Sequence, residues 1–224
     1  MDQATMNKDW RDGFLFVGNQ LALDFLNTVP VLDGGPKELL PDCASLVRWL
    51  VAAELISAAD AKRIEPKWTA DPACDNMLDE LREFRERLRD MVLALEHQIE
   101  PSHPFLAEIN LQLAAHPYID QLMPSEAGMI RSKRFVPRTP LDLFAPIADS
   151  VAALLTAPDL QRLRKCENCI LHFFDTSKKG TRRWCSMNAC GNRSKVAAYT
   201  KRKKFAASAG SGAVPTVGRT DART

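Results

Sequence analysis

Four of the six cysteines in this 224-residue chain fall in one short stretch, spaced C-x2-C-x15-C-x4-C at Cys166, Cys169, Cys185 and Cys190. A C-x2-C turn lets two thiolates converge on one ion while its backbone N–H groups point back at the sulfurs, and a second pair completes a tetrahedron. Four soft ligands saturate zinc and leave no open position for an activated water, so the spacing predicts a single structural Zn2+ and no catalytic metal. Three rival readings account for less. The start MDQATMNKDWRDG is too polar for an export signal, which argues against a disulfide framework. A C-x2-C redox pair leaves the second pair unexplained, and iron–sulfur sites follow other spacings.

About forty residues around the quartet bury too little apolar surface to fold alone, so the ion is expected to supply much of the stability. Between the cysteine pairs, ILHFF and TRRW are expected to pair as a hairpin around DTSKKG with Gly180 at the turn, and Phe173, Phe174 and Trp184 as a small core. From Cys190 onward CGNRSKVAAYTKRKKF reads as a helix whose start is fixed by the metal, with Val196 and Tyr199 turned to the zinc side. Gly191 suits a tight turn beside the metal, and Asn192 suits a helix cap.

The formal net charge of +2 conceals an uneven distribution. Residues 1–161 carry 15 Lys and Arg against 25 Asp and Glu, whereas residues 162–204 carry 13 against 2. An acidic body with a basic end is the footprint of a chain whose second module contacts a polyanion. A zinc tetrathiolate is itself dianionic, so some of Arg164, Lys165, Arg182, Arg183 and Arg193 are expected to neutralise the sulfurs, with too many cations left over for that role alone. The candidate nucleic-acid contacts are Lys178, Lys179, Arg182, Arg183, Arg193, Lys195, Lys201, Arg202 and Lys204. Arg193 is open to either role, facing DNA or a zinc-bound sulfur.

Upstream of the basic module the periodicity is largely helical. Met77, Leu78, Leu81, Phe84, Leu88, Met91, Val92, Leu95 and Ile99 recur at helical spacing over about six turns and predict a long spine helix. Shorter helices are expected from Asp42, after Ser57, near Pro104 and from Leu143 to Leu155, with a β-hairpin at about 118–136. The acids and arginines of LDELREFRERLRD read as i, i+4 pairs on a solvated face. The fold class expected is therefore a mainly α N-terminal domain with a small β-hairpin (α+β), followed by a small four-cysteine zinc finger of hairpin and helix. Its boundaries fall at 1–156, 157–205 and, for a tail of small polar residues expected to be disordered, 206–224.

The run CENCILHFFDTSKKGTRRWCSMNACGNRSKVAAYTKR resembles the CGNR zinc finger, named for the tetrapeptide found here as Cys190-Gly191-Asn192-Arg193. Upstream, GNQLALDFLNT is similar to the opening of the stress-induced transcription regulator domain that precedes such fingers. The resemblance implies a bacterial regulator in which the finger binds DNA and the helical domain senses a small-molecule effector; because one finger of this size binds weakly, the helical domain is also expected to supply a homodimer interface. A zinc-stabilised module docking an acidic protein surface, the acidic N-terminal domain included, and an RNA-binding module stand as alternatives.

The remaining polar residues point to no enzyme. His97, His103, His116 and His172 lack metal or triad spacing and are expected at the surface or at helix caps. Cys43 and Cys74 stand apart from the quartet and are expected to be reduced structural thiols. Asp24, Asn27 and Thr28 in LDFLNT either line a ligand pocket or brace a helix end. No run is apolar enough to span a membrane, and a cytoplasmic location is expected.

Overall fold

The computed structural model describes residues 9–209 apart from 33, 116 and 127, so His116 and positions 210–224 of the expected tail lie outside the described residues. The chain enters through a two-residue hairpin, β1 (Trp10–Arg11) and β2 (Phe14–Leu15). Asp12 and Gly13 turn it, both with positive φ, the combination that Asp-Gly supplies in tight hairpins. Helix α1 (Leu21–Leu26) follows, and a small bridge pairs β3 (Val31–Leu32) with β4 (Gly35–Pro36).

Four helices build the body around α1. They are α2 (Cys43–Ala52), α3 (Ala58–Thr69), the 23-residue α4 (Cys74–Glu96) and α5 (His103–Ala114). Asp42, Ser57 and Ser102 each accept the backbone N–H three residues on, at 2.7, 3.0 and 3.4 Å, which fixes the starts of α2, α3 and α5. An antiparallel hairpin of β5 (Tyr118–Ser125) and β6 (Gly128–Phe135) stands where the period of two places it. Helix α6 (Phe144–Leu155) closes the body.

The first helix is short but central, because five of its six residues are buried and it packs on both α6 and α4. Phe25 meets Trp49 of α2 edge-on at 5.8 Å between ring centres, and Leu81, Phe84, Leu88 and Val92 carry the same core along α4. Beyond α6, strands β7 (Leu163–Lys165) and β8 (His172–Phe174) pair antiparallel, and a π turn at Met187–Gly191 leads into α7 (Asn192–Ala209). The fold is thus α+β, with the four cysteines gathered after the helical body.

Several expectations are corrected. ILHFF pairs with the segment before the first cysteine and not with TRRW: Leu163 faces Phe174, Arg164 faces Phe173 and Lys165 faces His172. The physical reason is that the Cys166–Cys169 turn itself makes the hairpin, leaving TRRW to run as a loop. Phe174 consequently joins the core of the helical body, while Phe173 and the half-buried Trp184 stay with the cysteines. Helix α7 extends to Ala209, four residues past the boundary expected for the tail, and Val196 and Tyr199 are exposed, not turned to the metal. The arginines of α4 do not all lie on a solvated face: Arg85 is buried, bonding Thr28 at 2.7 Å and Glu38 at 3.0 Å. Arg82–Asp79 and Arg89–Glu86 pair at i, i+3 spacing, and Arg87 bridges to Glu108 on α5 at 2.7 Å.

Cys43 and Cys74 form a disulfide with Cα atoms 6.5 Å apart, against the expectation of free thiols. Both open a helix, α2 and α4, and the two helix starts meet in space, which a sequence separation of 31 conceals. Replacing both by serine is expected to lower the unfolding free energy by about 3–4 kcal/mol, the loop-entropy value for roughly thirty bridged residues. Urea denaturation measures the loss, and zinc content is expected to stay unchanged.

Candidate metal centre and its seat on the helical body

The four cysteine sulfurs all lie within 4.8 Å of one another, Cys169 and Cys185 at 3.7 Å, and three of the four residues are buried. Zinc–sulfur bonds of about 2.3 Å in a tetrahedron place sulfurs about 3.8 Å apart, so the donor set fits that ion in chemistry and in spacing. Backbone N–H groups of Asn168 and Leu171 point at the Cys166 and Cys169 sulfurs, as a thiolate-holding turn requires. Without a cation such crowding divides the thiols. Hydrogen bonds from its neighbours hold Cys166 far below the ordinary thiol range, while Cys169 is pushed up to about 12 and burial raises Cys190. A dication among the sulfurs would relieve that repulsion.

The loop between the cysteine pairs is organised by Asp175, a residue with no role in the sequence reading. It is fully buried and accepts the N–H of Ser177 at 2.9 Å and of Arg182 at 2.7 Å. Burial opposes its charge, but those donors and Arg164 hold its carboxyl below the usual range. The visible signal was the D-T-S step, an Asx-type turn. Gly180 has φ +61° and lies in a turn of this loop, its N–H 3.2 Å from the Ser177 carbonyl, and not at the tip of the hairpin expected there. Gly191 has no such φ; a Cβ there would lie 2.8 Å from the Met187 sulfur, so this glycine serves close packing under the π turn. That turn, with Cys190 and Gly191 N–H both reaching the Ser186 carbonyl, makes the entry to α7, and Asn192 is already its first residue, not a cap preceding it.

The arginines expected at the site separate into two groups. Arg182 donates to the Trp184 carbonyl at 2.8 Å and to the Cys185 carbonyl, and its guanidinium stacks 4.7 Å from the Phe173 ring centre. Arg164 reaches the Gly180 carbonyl at 2.7 Å, and Arg162 those of Asp175 and Ser177 at 2.9 and 2.7 Å. Arg183 is exposed but forms a two-pronged pair with Glu167. By contrast Lys178, Lys179, Arg193, Lys195, Arg202 and Lys203 are exposed. Of the described α7 side chains only Ser194 is half-buried, and those of Lys201 and Lys204 lie outside the described residues.

The finger does not hang free. Asn27 reads the backbone of β8 as a neighbouring strand would: its Nδ2 donates to the His172 carbonyl at 2.8 Å and its Oδ1 accepts the His172 N–H at 3.1 Å. Two further bonds, Phe174 N–H to the Gly18 carbonyl and Asn19 Nδ2 to the Phe174 carbonyl, both 2.8 Å, extend the seam. Leu15, Val17 and Trp10 fill the finger's own apolar cluster beside Cys166, Leu171, Phe173, Cys185 and Cys190. Ser186 bonds Asp9 on the same side. His172, expected at the surface, is buried with its Nε2 3.0 Å from Glu96 at the end of α4, and burial lowers its pKa. His97 and His103 are exposed at the adjoining helix ends, as expected.

The LDFLNT residues therefore brace. Asn27 and Thr28 are almost wholly buried, Thr28 donating to the Phe25 carbonyl and accepting from Arg85, both at 2.7 Å. Asp24 alone borders a cleft, an open one of about 530 Å3 with Arg11, Asn19, Asp149 and Ser150 around it. It accepts the Gly18 N–H at 2.7 Å, and Gly18 is required there because a Cβ would lie 2.7 Å from that of Leu23. Burial outweighs that hydrogen bond and raises the Asp24 pKa to about 6.

The architecture decides the family. The ABATE model, described as "Putative stress-induced transcription regulator", matches residues 19–158, more than half of the chain. The chain belongs to that family. A CGNR zinc-finger model follows at residues 162–203, so the ABATE match begins at the seam residue Asn19 and includes Asn27, and the finger match begins at Arg162. No curated protein matches the chain. Among the described residues no helix is long and apolar enough to cross a membrane.

Two outcomes follow from the seam. Asn27→Ala leaves the N–H and C=O of His172 buried without partners and is expected to cost about 2–3 kcal/mol, with faster hydrogen exchange at the His172 amide than in wild type. For Asp24, the folded carboxyl keeps its proton up to about pH 6 whereas the unfolded one releases it near pH 4. Its contribution to stability is therefore greatest below pH 4, falls as pH rises through that window and stays low above it. Asp24→Asn, which keeps the acceptor for Gly18, is expected to exceed wild type by about 2–3 kcal/mol above pH 7. The gain should shrink toward pH 5 in urea titrations of the zinc-loaded protein.

Proposed function

We propose that the protein is a DNA-binding transcription regulator in which one structural zinc ion fixes the finger and the exposed cations of its loop and terminal helix contact phosphates. The observation that carries this reading is the division of the cations. The arginines at 162, 164, 182 and 183 are engaged within the finger or with its acids, while Lys178, Lys179, Arg193, Lys195, Arg202 and Lys203 are exposed. Helix α7 buries almost none of its described side chains, which leaves its described basic residues open to a partner outside the domain. Arg182 and Arg183, candidates on sequence grounds, are better suited to holding the fold than to reading bases.

The alternative in which the acidic body masks the basic helix finds less support, since the finger meets the body through Asn19, Asn27 and the Leu15–Val17 cluster and leaves α7 exposed. RNA recognition is disfavoured as well, because among the described residues Tyr199 is the one exposed aromatic and stacking on single strands calls for a row of them. We also read the protein as non-catalytic, on the ground that four thiolates would saturate the metal, and as cytoplasmic, where a transcription regulator meets its DNA.

DNA selected from a random pool by the zinc-loaded protein tests the proposal. If about six cations neutralise phosphates, log affinity falls against log salt with a slope near −5. Lys178→Gln with Lys179→Gln is expected to lower the slope by about 2 and weaken all sequences alike. Arg182→Gln is expected to reduce zinc retention instead. Enrichment that persists in a Cys185→Ser variant would assign the DNA contact elsewhere.

A further inference from the structure

The β5–β6 hairpin is a two-stranded sheet of eight residues per strand, and neither outer edge has a neighbouring strand among the described residues. Its root is anchored, with Phe135 buried against the body and Tyr118 against Phe135. Its outer half is not: Ile119, Leu122, Met123, Met129 and Ile130 are all exposed, Leu122 to 70%. A lone two-stranded ribbon is marginal in water, and an unpaired apolar edge is a template for another strand. We infer that the free edge of β5 pairs with β5 of a second copy, joining two hairpins into one four-stranded sheet.

The bonding pattern of the hairpin selects this edge and its register. Val136 N–H bonds the Pro117 carbonyl at 2.7 Å, and the pairing alternates from there, so the 119/134, 121/132 and 123/130 pairs bond inward. Tyr118, Asp120, Leu122 and Pro124 therefore direct their backbone groups outward. Pro124 has no N–H to offer and sits at an outward position, where an edge strand tolerates proline. On β6 the corresponding edge carries Arg131 and Lys133 with Arg134 beside them, so self-pairing there sets like charges together. The β5 edge carries one acid, Asp120, already paired with Arg131.

Among two-fold registers of β5 with itself, Asp120 against Asp120 opposes like charges. Leu122 against Leu122 faces Asp120 with the proline that cannot donate. The register with Gln121 against Gln121 keeps the like charges apart and moves the proline to the flanks, opposite Tyr118, away from the central bonds. It gives Asp120 and Leu122 of opposite copies reciprocal backbone bonds and sets Ile119 across from Met123 of the second copy. Those two side chains share a face with Ile130, which lies opposite Met123 within the hairpin, so each copy brings three exposed apolar residues to one cluster.

Light scattering and sedimentation of the full zinc-loaded chain test the inference without any DNA. The wild type is expected to run at twice its 25.0 kDa chain mass at micromolar concentration. Ile119→Lys with Met123→Lys places like charges across the axis at exposed positions, and is expected to weaken the dimer at least about a hundredfold with helicity and zinc content unchanged. Ile119→Lys with Met123→Glu restores opposite charges in this register and is expected to recover most of the dimer. A wild type that stays monomeric at 100 µM overturns the inference. So does a dimer indifferent to the double lysine variant, and so does a Lys/Glu variant as monomeric as Lys/Lys. Because the readout is mass alone, failure here leaves the DNA reading untouched.

Discussion

Four sulfurs held within 4.8 Å of one another, three of them on buried residues, would repel as thiolates, so the segment that carries them is suited to form around a cation. Everything downstream of α6 follows from that arrangement. The Cys166–Cys169 turn forces β7 and β8 into register, Asp175 gathers the returning loop, and the π turn after Cys185 sets the direction of α7. The finger's own apolar cluster is small and is completed by Leu15, Val17 and Trp10 from the other end of the chain.

That last dependence makes the finger and the helical body one mechanical unit. The amide of Asn27 stands in for a strand, satisfying both backbone groups of His172, and the Gly18–Asn19 step satisfies those of Phe174. Phe174 and Leu163 enter the main core while Phe173 points the other way, the alternation expected of a strand with a hydrophobic layer on each face. A change felt by α1, or by the end of α4 where Glu96 meets His172, thus has a short path of rigid contacts to the metal centre. The helix that carries the exposed cations begins one residue beyond the last of the metal-bound turn.

Legibility from sequence varied with the range of the interaction concerned. Helix starts at Asp42 and Ser57, the helix near Pro104 and the hairpin at about 118–136 were readable because caps and periodicity act over a few residues. The cysteine quartet was readable because ligand spacing is itself local chemistry. The ribbon partner of ILHFF was misplaced because two segments of similar apolar pattern flank it, and only the cysteine turn chooses between them. His172, Arg85 and the Cys43–Cys74 disulfide were missed for one shared reason: each has its partner more than thirty residues away, and none carries a periodic signal.

By itself the sequence determined that the chain has a mostly helical acidic body, a four-thiolate metal site and a strongly basic end, since periodicity, ligand chemistry and charge are properties of short stretches. Only the tertiary structure decided what those charges and polar residues do. It engaged Arg182 and Arg164 with backbone carbonyls and left Lys178, Lys195 and Arg202 exposed. It also made Asn27 of LDFLNT part of the seat of the finger, because a buried amide must find partners and the nearest unpaired ones belong to a strand that lies 145 residues further along the chain.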